Sequence, residues 1–198
     1  MANDGVDKGR RCFLTAATTV VGGVGAAAAA VPFVQSLQPS ARTKAIGAPV
    51  EADVSRLKPG ERMIAKWRGQ PVWILRRSEE ALASIGALND QVRDPGSAES
   101  EQPQYAINEN RSIKPEYLVV VGLCTHLGCS PLYVPADAPH DLGADWKGGF
   151  HCPCHGSKFD LAGRVYKGVP APTNLTVPPH EFVSETRLII GADKEHPA

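Results

Sequence analysis

The chain has 198 residues, room for one globular domain and an appendage, and its acidic and basic residues balance at 21 each for a formal net charge of zero. That balance excludes a basic nucleic-acid-binding surface and an acidic disordered tail as organising features. Its 19 Gly and 17 Pro favour short strands joined by tight turns, and four of the five Cys fall between 124 and 154, which marks a site and not a framework spread along the chain.

Residues 1–11 are polar and end in Arg10 and Arg11, ahead of a run of 30 positions from Cys12 to Ala41 without a charge. A helix needs about 20 largely apolar residues to cross the hydrocarbon core. Residues 12–37 are therefore expected as a single transmembrane anchor, mildly hydrophobic because it is rich in Ala and Gly. Adjacent arginines before such a stretch resemble the twin-arginine export signal, used by proteins that fold and receive their metal before translocation. A cleaved signal peptide or plain basic flanks are the competing readings. Lys8, Arg10 and Arg11 precede the span while Arg42 and Lys44 follow it, so charge bias hardly decides orientation. The export motif sets the expectation that the C-terminal domain lies outside the cytoplasm. Residues 38–60, punctuated by Pro39, Gly47, Pro49 and Pro59, read as a flexible, exposed linker.

From 61 to 198 the pattern is that of a mainly β domain. RMIAKW and PVWILR flank a hairpin turn at Arg68–Gln70, and Ser78 precedes a helical pattern with Leu82, Ile85 and Leu88 on one side. Residues 94–114 read as loop. YLVVVG (117–122) is a buried strand running into Cys124, KFDLAGRVY a hairpin around Ala162–Gly163, and NLTVPP, EFVSET and RLIIGA further short strands. The expected architecture is a small antiparallel β-sandwich with one inserted helix.

Chemistry concentrates in two boxes, Cys124-Thr-His126 and Cys152-Pro-Cys154-His155. Zinc knuckles and helical His pairs have other spacings. Haem attachment needs C-x-x-C-H, and a thioredoxin-type pair needs C-x-x-C. None of these matches well.

Both boxes resemble the Rieske iron–sulfur proteins, whose [2Fe–2S] cluster carries two His in place of two Cys on one iron. The resemblance implies the ligands Cys124, His126, Cys152 and His155, one Cys and one His from each box. Such a core is neutral when oxidised and singly negative when reduced, so it accepts an electron more readily than a core on four thiolates. Reduction also raises the pKa of an outer imidazole N–H, which couples electron to proton, and hydroquinones donate both.

The subclass with an additional Cys in each box joins them, here implying a Cys129–Cys154 disulfide. It would close a loop of about 26 residues, worth roughly 3 kcal/mol in the chain-entropy model, and needs an oxidising compartment. The resemblance further places Leu127, Gly128, Ser157, Phe159 and Pro170 around the cluster. Ser157 matches a serine that hydrogen-bonds a bridging sulfide. Phe159 stands where respiratory members usually carry a Tyr that donates to a ligand thiolate, which predicts a lower potential here. GVPAPTN (168–174) resembles the proline-rich loop that covers the cluster, and the cluster-binding subdomain spans about 122–174. His140, His151, His180 and His196 match no ligand and read as surface or strand residues.

Over nearly its whole length the chain is similar to the Rieske subunits of bacterial ubiquinol–cytochrome c reductases. That implies a subunit of a dimeric complex in the bacterial inner membrane, anchored by one span with its head on the periplasmic side. Its implied partners are cytochrome b and cytochrome c1, and its substrate is ubiquinol. In such proteins His155 would hydrogen-bond ubiquinol at the outer quinol site. The head would then swing on a linker of about ten residues, roughly 30 Å when extended, to reduce cytochrome c1. Two other readings stay open at this point: the small Rieske subunit of a periplasmic oxidase such as arsenite oxidase, and a zinc-stabilised binding module.

Overall fold

A computed structural model of the chain describes residue 5 and residues 7–194. It divides into an N-terminal unit ending at Ala45 and a head beginning at Ile46. The N-terminal unit is built on α1 (Lys8–Ser36), followed by the short α2 (Ala41–Gly47) that crosses the division. The side chain of Asp7 caps α1 by accepting from the amides of Gly9 and Arg10, so the helix begins before the arginine pair and not after it. Inside the apolar stretch the hydroxyls of Thr15, Thr18 and Thr19 donate to carbonyls four residues back, which removes their need for water. The helix is long and apolar enough to cross a membrane.

The head contains β1 (Val50–Asp53), β2 (Arg62–Trp67), β3 (Gln70–Arg76), α3 (Glu79–Ala87), β4 (Tyr117–Val121), β5 (Leu132–Val134), β6 (Gly149–His151), β7 (Lys158–Phe159), β8 (His180–Phe182) and β9 (Arg187–Ile190). These form three antiparallel sheets of three strands, ordered β1-β9-β8, β2-β3-β4 and β5-β6-β7. In the β2-β3-β4 sheet, β3 and β4 are buried on both faces. Trp73, Leu75, Leu118 and Val120 face one core with Ile85 of α3 and with Phe150 and Phe159 of the third sheet. Val72, Ile74, Tyr117 and Val119 face the other core with Ala52, Leu188 and Ile190. Burial on both sides is why β4 reads as an unbroken apolar run.

The hairpin at Arg68–Gly69, the Ser78 cap of α3 and the buried β4 follow the sequence pattern. NLTVPP forms no strand, while KFDLAGRVY turns back on itself, with Phe159 bridged to Val165 and the amide of Tyr166 donating to Lys158 O at 3.1 Å. Residues 38–60 are not one open linker. They hold α2 and then β1, which pairs with β9 from Val50 opposite Ile190 to Asp53 opposite Arg187. Ala52, Val54 and Leu57 are buried there, while Glu51 forms an outer ion pair with Arg187 at 2.9 Å. The alternation of this strand is short and is masked by its charged outer face.

Behind the third sheet lies a buried polar network. Asp160 accepts from the amides of Ala162 and Arg164 and from Arg164 Nε at 2.7 Å, with both side chains fully buried. Arg77 donates to the carbonyls of Asn110, Pro115 and Leu161, and Arg111 to those of Ala162 and Gly163. Burial pulls both guanidiniums down, Arg77 to about 9 and Arg111 to about 10, and the charge of Asp160 opposes the shift. Asp160 thus pairs directly with Arg164, opposes the shift of Arg77 and, with Asp94, that of Arg111, and shapes the turn that leaves β7. Asp160→Ala would leave Arg164 buried without its ion-pair partner, a loss of about 3–5 kcal/mol. Denaturant unfolding of the detergent-solubilised chain measures this, and an unchanged midpoint would show the network to be idle.

Candidate metal centre

Box 1 leaves β4 and box 2 joins β6 to β7, and the two loops share one local construction. In box 1 the amide of Gly128 donates to Cys124 O at 2.9 Å, and the amide of Cys124 to Cys129 O at 2.7 Å. In box 2 the amide of Gly156 donates to Cys152 O at 2.9 Å, and the amide of Cys152 to Ser157 O at 2.8 Å. Gly128 and Gly156 close these turns with φ of 80° and 77°, a conformation that costs a residue with a Cβ. Each loop therefore has a cysteine at its root and a histidine toward its tip.

The roots are dry and the tips are wet. Cys124 and Cys152 are 3% and 2% exposed, whereas His126 is half-buried, and His155 is exposed along with Leu127 at 72%. The rings of His126 and His155 meet edge to face with centroids 4.8 Å apart. The two cysteines belong to one buried core. Burial pushes the Cys124 thiol up and the Cys152 thiol adds to this, while the His126 amide and the Ser157 hydroxyl favour the thiolate.

Cys129 and Cys154 form a disulfide, 25 residues apart in sequence. Cys152 Sγ lies within 4.8 Å of both bridged sulfurs, so the bridge braces the wall of the same pocket. Those two cysteines are spent on the crosslink, which leaves Cys124 and Cys152 as the sulfur donors within the boxes. Two neighbouring buried thiols and two neighbouring imidazoles are the donor set of a [2Fe–2S] cluster with two thiolates on one iron and two imidazoles on the other. Cationic iron would also stabilise as a thiolate the Cys124 thiol, which burial pushes up. The residues fit the group.

Residues 168–174 are tied to both boxes. Thr125 Oγ1 donates to Thr173 O at 2.7 Å, and the amide of Ala171 donates to Ser157 Oγ at 3.0 Å. Ser157 is fully buried, and its hydroxyl favours the Cys124 thiolate. Phe159 is fully buried beside Phe150, its register partner, and belongs to the core that includes both free box cysteines. Pro170 is exposed. Arg10 and Arg11 lie in the first turn of α1 and are exposed. Thr125 was not anticipated from sequence, because its partner is a backbone carbonyl 48 residues away. Of the remaining histidines, His140 is exposed with its ring against Trp146, and His151 lies in β6. His180 is buried in β8, where desolvation lowers its pKa and Nδ1 bonds Pro178 O at 2.8 Å. His196 lies outside the described residues.

Residues 48–179 match the family described as "Rieske [2Fe-2S] domain", and residues 1–40 match "Ubiquitinol-cytochrome C reductase Fe-S subunit TAT signal". The ubiquinol–cytochrome c reductase iron–sulfur subunit of Allochromatium vinosum is 59% identical over 98% of this chain and 94% of its own length. The chain belongs to the Rieske iron–sulfur subunits of ubiquinol–cytochrome c reductase. The corresponding subunit of Blastochloris viridis is 44% identical over 96% of this chain and 97% of its own. A solved chain titled "Hyperthermophilic respiratory Complex III" aligns with 89% of this chain and 98% of itself at 29% identity, with a TM-score of 0.47. As a Rieske subunit the chain carries a [2Fe–2S] cluster, and the apolar helix α1 suits a membrane-anchored member. The oxidase-subunit and zinc readings fall away.

Within this Rieske head the disulfide is the only covalent tie between the two boxes other than the chain itself. Cys154→Ser is expected to lower head stability by roughly 3 kcal/mol and to speed loss of the visible cluster bands to a chelator. Equal bleaching rates in the variant and the parent would show that the bridge does not brace the site.

Proposed function

We propose that Cys124, His126, Cys152 and His155 hold the cluster, and that the head takes an electron and a proton from ubiquinol and delivers the electron to cytochrome c1. The single observation that carries the ligand assignment is the pair of matched loops, with buried thiols at their roots and touching imidazoles toward their tips. When bound, the cluster supplies a one-electron acceptor whose charge alters the basicity of the imidazoles attached to it.

The residues of the chain do the rest. The exposed ring of His155 presents its solvent-side nitrogen where a hydroquinone hydroxyl can reach it, and that nitrogen receives the proton. Leu127 beside it offers an apolar contact for a quinone ring or for the wall of a partner. The buried sulfurs keep water from the inner side of the site, and Ser157 stabilises negative charge on sulfur. Because the tip is exposed, cytochrome b would have to complete the quinol pocket.

The names of the relatives support a place in a ubiquinol–cytochrome c reductase, for which cytochromes b and c1 in a dimeric membrane complex are the proposed partners, and the N-terminal match supports export through Arg10 and Arg11, with the head proposed on the periplasmic side. Movement of the head between partners would be absorbed before β1. There α2 has seven residues, none of them buried, and so short a helix is marginal in water. A proline at Ala45 would melt α2 and not stiffen it.

Ascorbate-reduced membranes are expected to give a low-temperature electron paramagnetic resonance signal of the Rieske type, perturbed by an inhibitor of the outer quinol site, and the chain should purify with b- and c-type haems. A signal indifferent to the inhibitor, in a preparation without those haems, would argue against quinol oxidation by this head. Phe159→Tyr is expected to raise the midpoint potential, because a phenol in the core beside the box cysteines would add a hydrogen bond to sulfur. An unmoved midpoint in redox titration would sink that account.

A further inference from the structure

Residues 168–174 are held down by an element that the boxes do not contain. Pro170 and Pro172 remove amides from this loop, so it has little capacity to anchor itself through backbone pairing. The anchor is the segment 91–100. The amide of Lys167 donates to Gln91 O and that of Arg93 to Val165 O, each at 2.9 Å, and Val92 bridges to Tyr166. This fixes the segment beside the residues that lead into the loop. From there the Arg93 guanidinium spans the loop: Nη1 donates to Pro172 O at 3.0 Å, and Nη2 to Val169 O at 3.4 Å. The far end is secured by Asn174, whose Nδ2 donates to Asp94 O at 3.0 Å and Ser97 Oγ at 3.1 Å while its Oδ1 accepts from Val165 N at 2.8 Å.

Between the two carbonyls that Arg93 holds lies Ala171, whose amide donates to Ser157 Oγ. Ser157 in turn is fully buried and accepts the Cys152 amide on its own carbonyl at 2.8 Å, which places its hydroxyl in the wall of box 2. A hydroxyl that accepts a hydrogen bond is a better donor, since the two bonds polarise one another.

We infer that Arg93 is a positioning residue for the redox centre: by clamping Val169 and Pro172 it keeps the Ala171 amide on Ser157 and so fixes the Ser157 hydroxyl as a donor in the wall of box 2. Arg93 touches neither cluster nor quinol and acts only through the loop. The inference rests on the ligand set proposed above. Lysine substitutes only in part, because one ammonium cannot match the planar fork that reaches both carbonyls.

The test is a double-mutant cycle in the assembled membrane complex, reading the midpoint potential by redox titration and the resonance line shape of the reduced cluster. Arg93→Gln should lower the midpoint and broaden the lines without loss of bound iron and sulfide. Its chelator-driven bleaching should quicken by roughly tenfold, as expected for losing one charge-assisted hydrogen bond. Arg93→Lys should recover part of each effect. Ser157→Ala should lower the midpoint by itself, and adding Arg93→Gln should lower it no further. A normal midpoint and line shape in Arg93→Gln would overturn the inference, as would a shift of equal size with Ser157 present or absent. If Arg93→Gln fails to assemble, Arg93→Lys is carried through the same cycle and decides by the same outcomes. Cys152→Ser tests the ligand set separately: a normal cluster signal in that variant would remove the ligand assignment itself, whatever Arg93 does.

Discussion

Two sulfur atoms must be kept out of water while two imidazoles a few residues away stay in it, and the rest of the head is arranged around that demand. The loops meet it with a repeated pair of backbone bonds, each closed by a glycine at positive φ. A loop of five or six residues cannot by itself fix an atom to a fraction of an ångström. Box 1 gains its rigidity from β4, all five residues of which are buried between two cores. Box 2 gains it from both sides, as the turn between β6 and β7. The disulfide then ties one loop to the other. Rigidity matters here because a cluster that changes charge by one unit reorganises least when its surroundings cannot move.

The same demand explains why the interior behind box 2 is polar. Two residues after Phe159 would ordinarily be enough for a tight hairpin, yet the chain there must turn back, pass through Val165 and arrive over both boxes. Asp160 organises this turn by accepting two amides and one guanidinium. Arg77 and Arg111 take up the carbonyls that the turn leaves pointing inward. Leaving those carbonyls without donors in the interior would cost about 1–3 kcal/mol each. Buried guanidiniums are the means by which an irregular segment can lie inside a small domain. Their charge is only partly offset by Asp160, and burial shifts Arg77 and Arg111 accordingly.

How much of this was legible in the sequence depended on the range of the interaction. The boxes, the hairpin at Arg68–Gly69, the cap at Ser78 and the apolar run of β4 are local, and each was readable from a handful of neighbouring residues. The crosslink was readable only through the family pattern, since four cysteines do not by themselves say which pair is bridged. β1 was hidden because its partner β9 lies more than 130 residues away and its outward face carries Glu51 and Asp53. β5 and β6 were hidden for another reason: three residues each are too few for a period to show. The buried arginines were illegible for the same reason as β1, because nothing in Arg77 or Arg111 announces a carbonyl 84 or 51 residues further along.

Range also separates what a Rieske head does from how well it does it. The proposed donor atoms sit in two short boxes, so the capacity to hold a cluster is written locally. The hydrogen bonds that reach those donors come from elsewhere. Ser157 is oriented by Ala171, and box 1 is tied through Thr125 to Thr173. Both of those residues belong to a loop whose own anchors lie 70 to 80 positions upstream. A substitution far from the cysteines in sequence, on the exposed surface and outside any motif, can therefore alter the electrostatics at sulfur while leaving every ligand in place. Relatives that share both boxes need not share a potential, and the residues that distinguish them are to be sought along the contact between segment 91–100 and the loop 168–174.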